Sequence, residues 1–151
     1  MIKIIAVGKL KENYFKDAQE EYLKRLKKYT NVVLIEVLDS KIDEVKSSQE
    51  EEKERILKHI NSNDYIVILD INGNMLTSVD LSKKIDNIFI NNSNITFIIG
   101  GSYGVHQDIK DKANYSISFG KLTYPHQLFR VMLLEQIYRS FKIINNEKYH
   151  K

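Results

Sequence analysis

The chain has 151 residues, 42% of them apolar and 28% charged, with a formal net charge of +3 and no cysteine. That length suits one domain, 1–151, with a proper core, and the composition is that of an ordinary globular protein. The absence of cysteine excludes disulfides, thiolate metal sites and a thiol nucleophile, while the mildly basic balance permits a polyanionic partner without requiring one.

Met1 to Gly8 is apolar but too short for a secretory core or a membrane span, and nothing later approaches membrane length. A cytoplasmic location is expected. Ile2 to Val7, a nearly continuous apolar run closed by Gly8, predicts a strand buried on both faces. Asn13 is placed to cap a helix to about Lys28, with Phe15, Ala18, Tyr22 and Leu26 along one side. Val32 to Leu38 predicts a second strand. Ser47 with Glu50, or Ser48 with Glu51, forms a capping box for a helix whose first half is almost wholly charged, anchored only by Ile56, Leu57 and Ile60. Such a helix belongs at an edge.

Tyr65 to Ile71 predicts a third strand, broken by Asn72-Gly73-Asn74, and Asp70 is suited to capping that turn. Thr77 to Asp80 resembles another cap, before a stripe of Leu81, Ile85, Ile88 and Phe89. Ile95 to Ile99 is a fourth strand, followed by the glycine loop Gly100-Gly101-Ser102-Tyr103-Gly104 and a short helix near Val105 to Lys112. Tyr115 to Phe119 alternates as a fifth strand, and a last helix runs from about Pro125 to Asn145. Strand and helix alternate throughout, which predicts an α/β fold with a mostly parallel sheet and helices on both faces.

Two stretches carry possible chemistry. The glycine loop permits positive φ and close approach of a ligand to backbone N–H groups, or is simply a tight strand-to-helix turn. It matches neither a dinucleotide fingerprint nor a P-loop. The second stretch, Ser118 to Arg130, joins strand, loop and helix around the only proline of the chain. Loops at the carboxyl ends of strands in an open α/β sheet are where ligands bind. On the last helix, Val131, Leu133, Leu134, Ile137, Tyr138, Phe141 and Ile144 fill one sector, and Phe129, Met132 and Ile143 another. A helix apolar nearly all round predicts cover from a second subunit. Arg130 falls within the larger sector, so it needs an internal acceptor such as Glu135, or it faces a ligand, the reading favoured here. His59, His106, His126 and His150 have no metal-ligand spacing, no serine-hydrolase elbow is present, and no metal is expected.

From Ile5-Ala6-Val7-Gly8-Lys9 to Tyr149-His150, the chain resembles the RlmH-type SPOUT methyltransferases. The most specific pieces are Ile99 to Gly104, Leu122-Thr123-Tyr124-Pro125-His126 with Arg130, Glu135 to Arg139, and the Tyr149-His150 ending. The resemblance implies a C-terminal deep trefoil knot (the SPOUT or α/β knot) within about 65–145, S-adenosylmethionine as methyl donor, and a homodimer. It implies methylation at N3 of a pseudouridine in 23S rRNA of the large ribosomal subunit. Cofactor contacts carried over by position are Leu69, Ile71, Gly73, Gly100, Gly101, Gly104, Phe119, Gly120, Lys121, Leu122, Thr123 and Tyr124. Arg130, His126, Tyr149 and His150 are the catalytic candidates, Arg130 stabilising charge on the ring and the others orienting or deprotonating the base. Lys9, Lys11, Lys121, Arg139 and Lys142 are candidates for RNA docking. The alternative is a non-catalytic RNA- or ribosome-binding module on the same fold.

Overall fold

A computed structural model describes all 151 residues. Five strands, β1 (Ile2–Val7), β2 (Val32–Val37), β3 (Asp64–Met75), β4 (Asn94–Ile99) and β5 (Tyr115–Ser118), form one sheet in the order β2-β1-β4-β3-β5. Every pairing is parallel. The helices are α1 (Asn13–Leu26), α2 (Val45–Leu57), α3 (Ser78–Asn91), α4 (Gln107–Lys112) and α5 (His126–Ile144).

The side-chain period of two along each strand divides the core by face. Ile2, Ile4 and Ala6 of β1 point with Val67, Leu69, Ile95, Phe97 and Ile99 toward Leu26 of α1, Leu81 and Ile85 of α3, and Leu133, Leu134 and Ile137 of α5. Ile5, Val7, Ile66, Ile68 and Ile98 point the other way, to Ile56 of α2, to Val105 just before α4 and to Ile109 of α4. Three helices thus cover one face and two the other.

Several local expectations are corrected. α1 starts at Asn13 itself, with Glu12 at the cap position and no side-chain cap. α2 begins before either serine, because the Glu44 carboxylate accepts from the N–H groups of Lys46 and Ser47. The third strand does not stop at Asn72: it runs on to Met75, with a register shift against β5 between Leu69 and Asn74. Gly73 explains the continuation, since a Cβ there would lie 2.6 Å from Ser116 Oγ and 2.7 Å from the Ile117 carbonyl carbon. Backbone lies directly against backbone at that point. Asp70 does take the Asn72 N–H, at 2.9 Å, and also pairs with Lys110. The Thr77 cap on α3 is present.

The chain after β5 sets the site. β5 is an edge strand, yet His126 reaches the Gly100 carbonyl, Gln127 accepts from the backbone of Lys11 and Glu12, and Arg130 reaches the Gly8 carbonyl. Residues 119–125 therefore return across the carboxyl ends of β3 and β4 before α5 lies down beside β1.

Candidate active site

Three segments meet where that return occurs: the middle of β3, the glycine loop after β4, and the stretch between β5 and α5. They enclose a cavity of about 180 Å³. Ten of the twelve residues expected at a cofactor line it: Leu69, Ile71, Gly100, Gly101, Gly104, Phe119, Gly120, Leu122, Thr123 and Tyr124. Gly73 and Lys121 do not, the first being pressed against β5 and the second exposed. Asp70, Ile99, Ile117, His126 and Phe129 complete the wall.

The loops are built for backbone contact. Gly104, at φ +78°, and Gly120, at φ +113°, occupy the left-handed region that side chains disfavour. The N–H groups of Leu122, Thr123 and Tyr124 make no hydrogen bond within the chain. Unpaired backbone donors at the cavity wall are free to bond a ligand, and a nucleoside cofactor supplies acceptors. Apolar Ile99, Ile117 and Phe119 offer the flat contact that an adenine ring needs. The residues present fit such a group.

His126 Nε2 lies 2.6 Å from the Gly100 carbonyl. A carbonyl only accepts, so Nε2 carries the proton and Nδ1 is left as the acceptor. Burial holds the imidazole below the ordinary histidine value, the Arg130 charge adding to the effect, while the hydrogen bond to Gly100 opposes both. His126 is thus neutral and ties the two loops together.

Arg130 is fully buried, and its acceptors are Glu36 and the Gly8 carbonyl, the latter at 2.9 Å, rather than Glu135. Of the two readings set out for this arginine, the structure supplies the internal one. Glu36 Oε1 also takes the Leu10 N–H at 3.3 Å, so the pair fixes the turn after β1 to the start of α5. Only Arg130 Nε lacks a partner.

Tyr149 and His150 lie elsewhere. The tail folds back on α5, where Tyr149 Oη donates to Glu135 at 3.1 Å and Arg139 Nη1 lies 3.3 Å from His150 Nδ1. Glu147 holds the tail down through Lys28, Lys142 and Tyr29. Burial and the Glu135 charge push the Tyr149 phenol up to about 12. His126 and Arg139 are thirteen positions apart, about 20 Å along a helix axis. One subunit therefore does not bring the four catalytic candidates together. Beside Glu135 runs a second groove of about 410 Å³, with Met75, Leu81, Met132 and Gln136 in its wall, and it borders the first cavity at Ile117, Phe119 and Gly120. Sequence reasoning missed Glu135 as the organiser of Arg139 and Tyr149, although the i,i+4 spacing of Glu135 and Arg139 was available as a signal.

Residues 1–150 match the family described as "Predicted SPOUT methyltransferase". The chain belongs to the SPOUT methyltransferase family. A relative in Clostridium kluyveri, "Ribosomal RNA large subunit methyltransferase H", is 54% identical to this methyltransferase over 99% of both chains. The protein of the same name in Clostridium tetani is 51% identical, again over 99% of both. Among solved structures, a probable methylase family protein from Haemophilus influenzae Rd KW20 superposes with a TM-score of 0.56 at 14% identity, covering 99% of this chain and 70% of its own, a likeness of fold. No helix of this methyltransferase is long and apolar enough to cross a membrane.

Proposed function

We propose that this methyltransferase uses S-adenosylmethionine to methylate large-subunit ribosomal RNA, at N3 of a pseudouridine, as a cytoplasmic homodimer. The observation that carries the reading is 54% identity over 99% of both chains to a relative named for large-subunit rRNA methylation. The cavity bounded by Leu69, Ile71, the glycine loop and Phe119–Tyr124 is the proposed cofactor pocket. The return of the chain from edge strand β5 across β3 and β4 supports a trefoil knot in the same region.

Bound S-adenosylmethionine supplies a methyl group already activated on a sulfonium, so orientation can account for much of the acceleration. The chain's own part is to hold the pocket and the ring. His126 fixes Gly100 against the Phe119–Tyr124 segment. Arg139, Tyr149 and His150 gather donors beside Glu135, suited to the negative charge left on an imide ring once N3 loses its proton. With its phenol near 12, Tyr149 acts as a donor and not as a base. Since His126 and Arg139 lie about 20 Å apart along α5, a complete site combines the pocket of one subunit with the tail of another. That division is the structural support for a dimer. Lys9, Lys11 and Lys121 are exposed and without acidic partners, whereas Arg139 and Lys142 are paired to Glu135 and Glu147. The three free lysines near the return segment are the better candidates for phosphate contacts, and docking through them weakens steeply with salt.

The test is mass mapping of large-subunit rRNA from cells lacking the protein, followed by restoration with the purified enzyme and S-adenosylmethionine. One pseudouridine should lose its methyl group and regain it. Unchanged methylation throughout would exclude the assignment, and no cofactor binding at millimolar concentration would point to a non-catalytic RNA-binding protein.

A further inference from the structure

We infer that Glu52, in the middle of α2, is a positioning residue for the Gly100–Gly104 loop and thereby for cofactor binding; the inference rests on the cofactor reading above. α2 looks in sequence like charged surface, but its contacts are selective. Ser48, Glu52 and Ile56, spaced by four, form its buried stripe, and Glu52 is only 6% exposed. No cation pairs with it. The nearby Arg55 is engaged by Glu51 and by the carbonyls of Leu38 and Asp39. An apolar residue at this position would bury without the penalty that an unpaired carboxylate incurs.

What Glu52 touches is backbone. Its Oε1 accepts the Ser40 N–H at 3.1 Å, on the segment leaving β2. Its two oxygens also occupy the place of a side chain at Gly101: a Cβ there would lie 2.7 Å from each. Burial pushes the Glu52 carboxyl above its ordinary value, and the Ser40 N–H opposes that rise. One carboxylate thus joins the β2–α2 connection to the first turn of the glycine loop. Gly101 is then a glycine because Glu52 fills its side-chain space.

The rest of α2 reinforces this hold. Gln49 donates to the Tyr103 carbonyl at 2.7 Å, Glu50 meets His106 at 3.0 Å, and Lys53 meets Asp108 at 3.1 Å. Gly104 N–H returns to the Gly101 carbonyl at 3.0 Å, which closes the loop on itself. From the opposite side His126 takes the Gly100 carbonyl. The loop is therefore clamped between α2 and α5, with its remaining face turned to the cofactor cavity. The three outer ties involve exposed groups and are individually weak. Glu52 is the buried member and sits at the turn that lines the cavity.

The experiment is calorimetric titration of the full-length protein with S-adenosylmethionine, together with steady-state kinetics on the rRNA substrate. Glu52→Ala should raise the cofactor Kd at least tenfold and raise KM for the cofactor in parallel, leaving KM for RNA within twofold. Glu52→Gln keeps an acceptor oxygen for Ser40 and should recover most of the affinity. Gly101→Ala should weaken binding by displacing the carboxylate, and combining it with Glu52→Ala should give less than the sum of the two losses, because the new methyl group enters the space that the carboxylate leaves. Gly101→Ala alone carries the test if Glu52→Ala does not fold. Cofactor binding of Glu52→Ala or of Gly101→Ala within twofold of wild type, equal rises in both KM values, or additive losses in the Glu52→Ala, Gly101→Ala pair would each overturn the inference. A wild-type protein that binds no cofactor overturns the cofactor reading and this inference with it.

Discussion

Replacing Glu36 should damage the protein more than replacing Arg130, although the two form one ion pair. The asymmetry follows from exposure. The Glu36 side chain is 28% exposed, so when Arg130→Met removes its partner the carboxylate can turn toward water. The Arg130 side chain is 0% exposed, so Glu36→Ala leaves a guanidinium sealed in the core with only the Gly8 carbonyl to satisfy it. Breaking a buried pair from one side costs about 3–5 kcal/mol. Glu36→Ala belongs near the middle of that range, at about 4 kcal/mol, and Arg130→Met lower, at about 2 kcal/mol, because its stranded partner is rehydrated. For a chain of this size each kcal/mol moves Tm by about 2–4 °C, so the expected losses are roughly 12 and 6 °C. The Glu36→Leu, Arg130→Met double variant should recover much of the loss, since apolar groups then replace both charges. Urea unfolding and scanning calorimetry measure all three. Arg130→Met costing more than Glu36→Ala, or both costing under about 1 kcal/mol, would refute an arginine whose work is to fasten α5 to β1.

Two further outcomes concern titration. Because burial depresses the His126 imidazole below its ordinary 6.5, the unfolded chain takes up that proton first. His126 then contributes stability that is fully present above about pH 6.5 and is lost as pH falls, and His126→Asn should flatten that part of the profile. NMR titration giving His126 a value at or above 6.5 would contradict the buried, Gly100-bound ring. Glu147, held down to about 2 chiefly by Lys142, Lys28 and Tyr29, should keep the tail docked from neutral pH until the solution is strongly acidic. Glu147→Gln should release residues 147–151 at neutral pH, read as faster amide exchange there, and unchanged exchange would show that Glu147 does not anchor the tail.

Strand and helix positions were mostly legible because β1, β2, β4 and the first part of β3 are rich in β-branched residues and the amphipathic helices carry a stripe at 3.6-residue spacing. Ile2–Val7 and Asn94–Ile99 are buried along almost their whole length, as their nearly continuous apolar runs predict. The extension of β3 through Asn72-Gly73-Asn74 was not legible. These residues read as a turn, and only the nearness of Ser116 and Ile117 turns the glycine into a strand residue. Burial of Glu52 was hidden for a similar reason: nothing in a run of charged residues says which one meets a glycine 49 positions later. At the site, the glycine loop and Ser118–Arg130 were legible as two separate loops after strands, and only the family resemblance joined them around a cofactor. The partners of Arg130 depended on strand order, which periodicity does not encode.

The fastening of α5 to β1 sets a schedule for synthesis. Leu133, Leu134 and Ile137 cover Ile2, Ile4 and Ala6, and Arg130 bonds to Gly8, 122 positions earlier. Until the last helix has left the ribosome, one face of the central strands is covered only by α1 and α3, and the earliest-made strand waits for the latest-made helix. A nascent chain in that condition exposes a flat apolar surface and is a natural client for chaperones. Loss of even the final two turns of α5 would be felt less as a missing end than as an unfinished core.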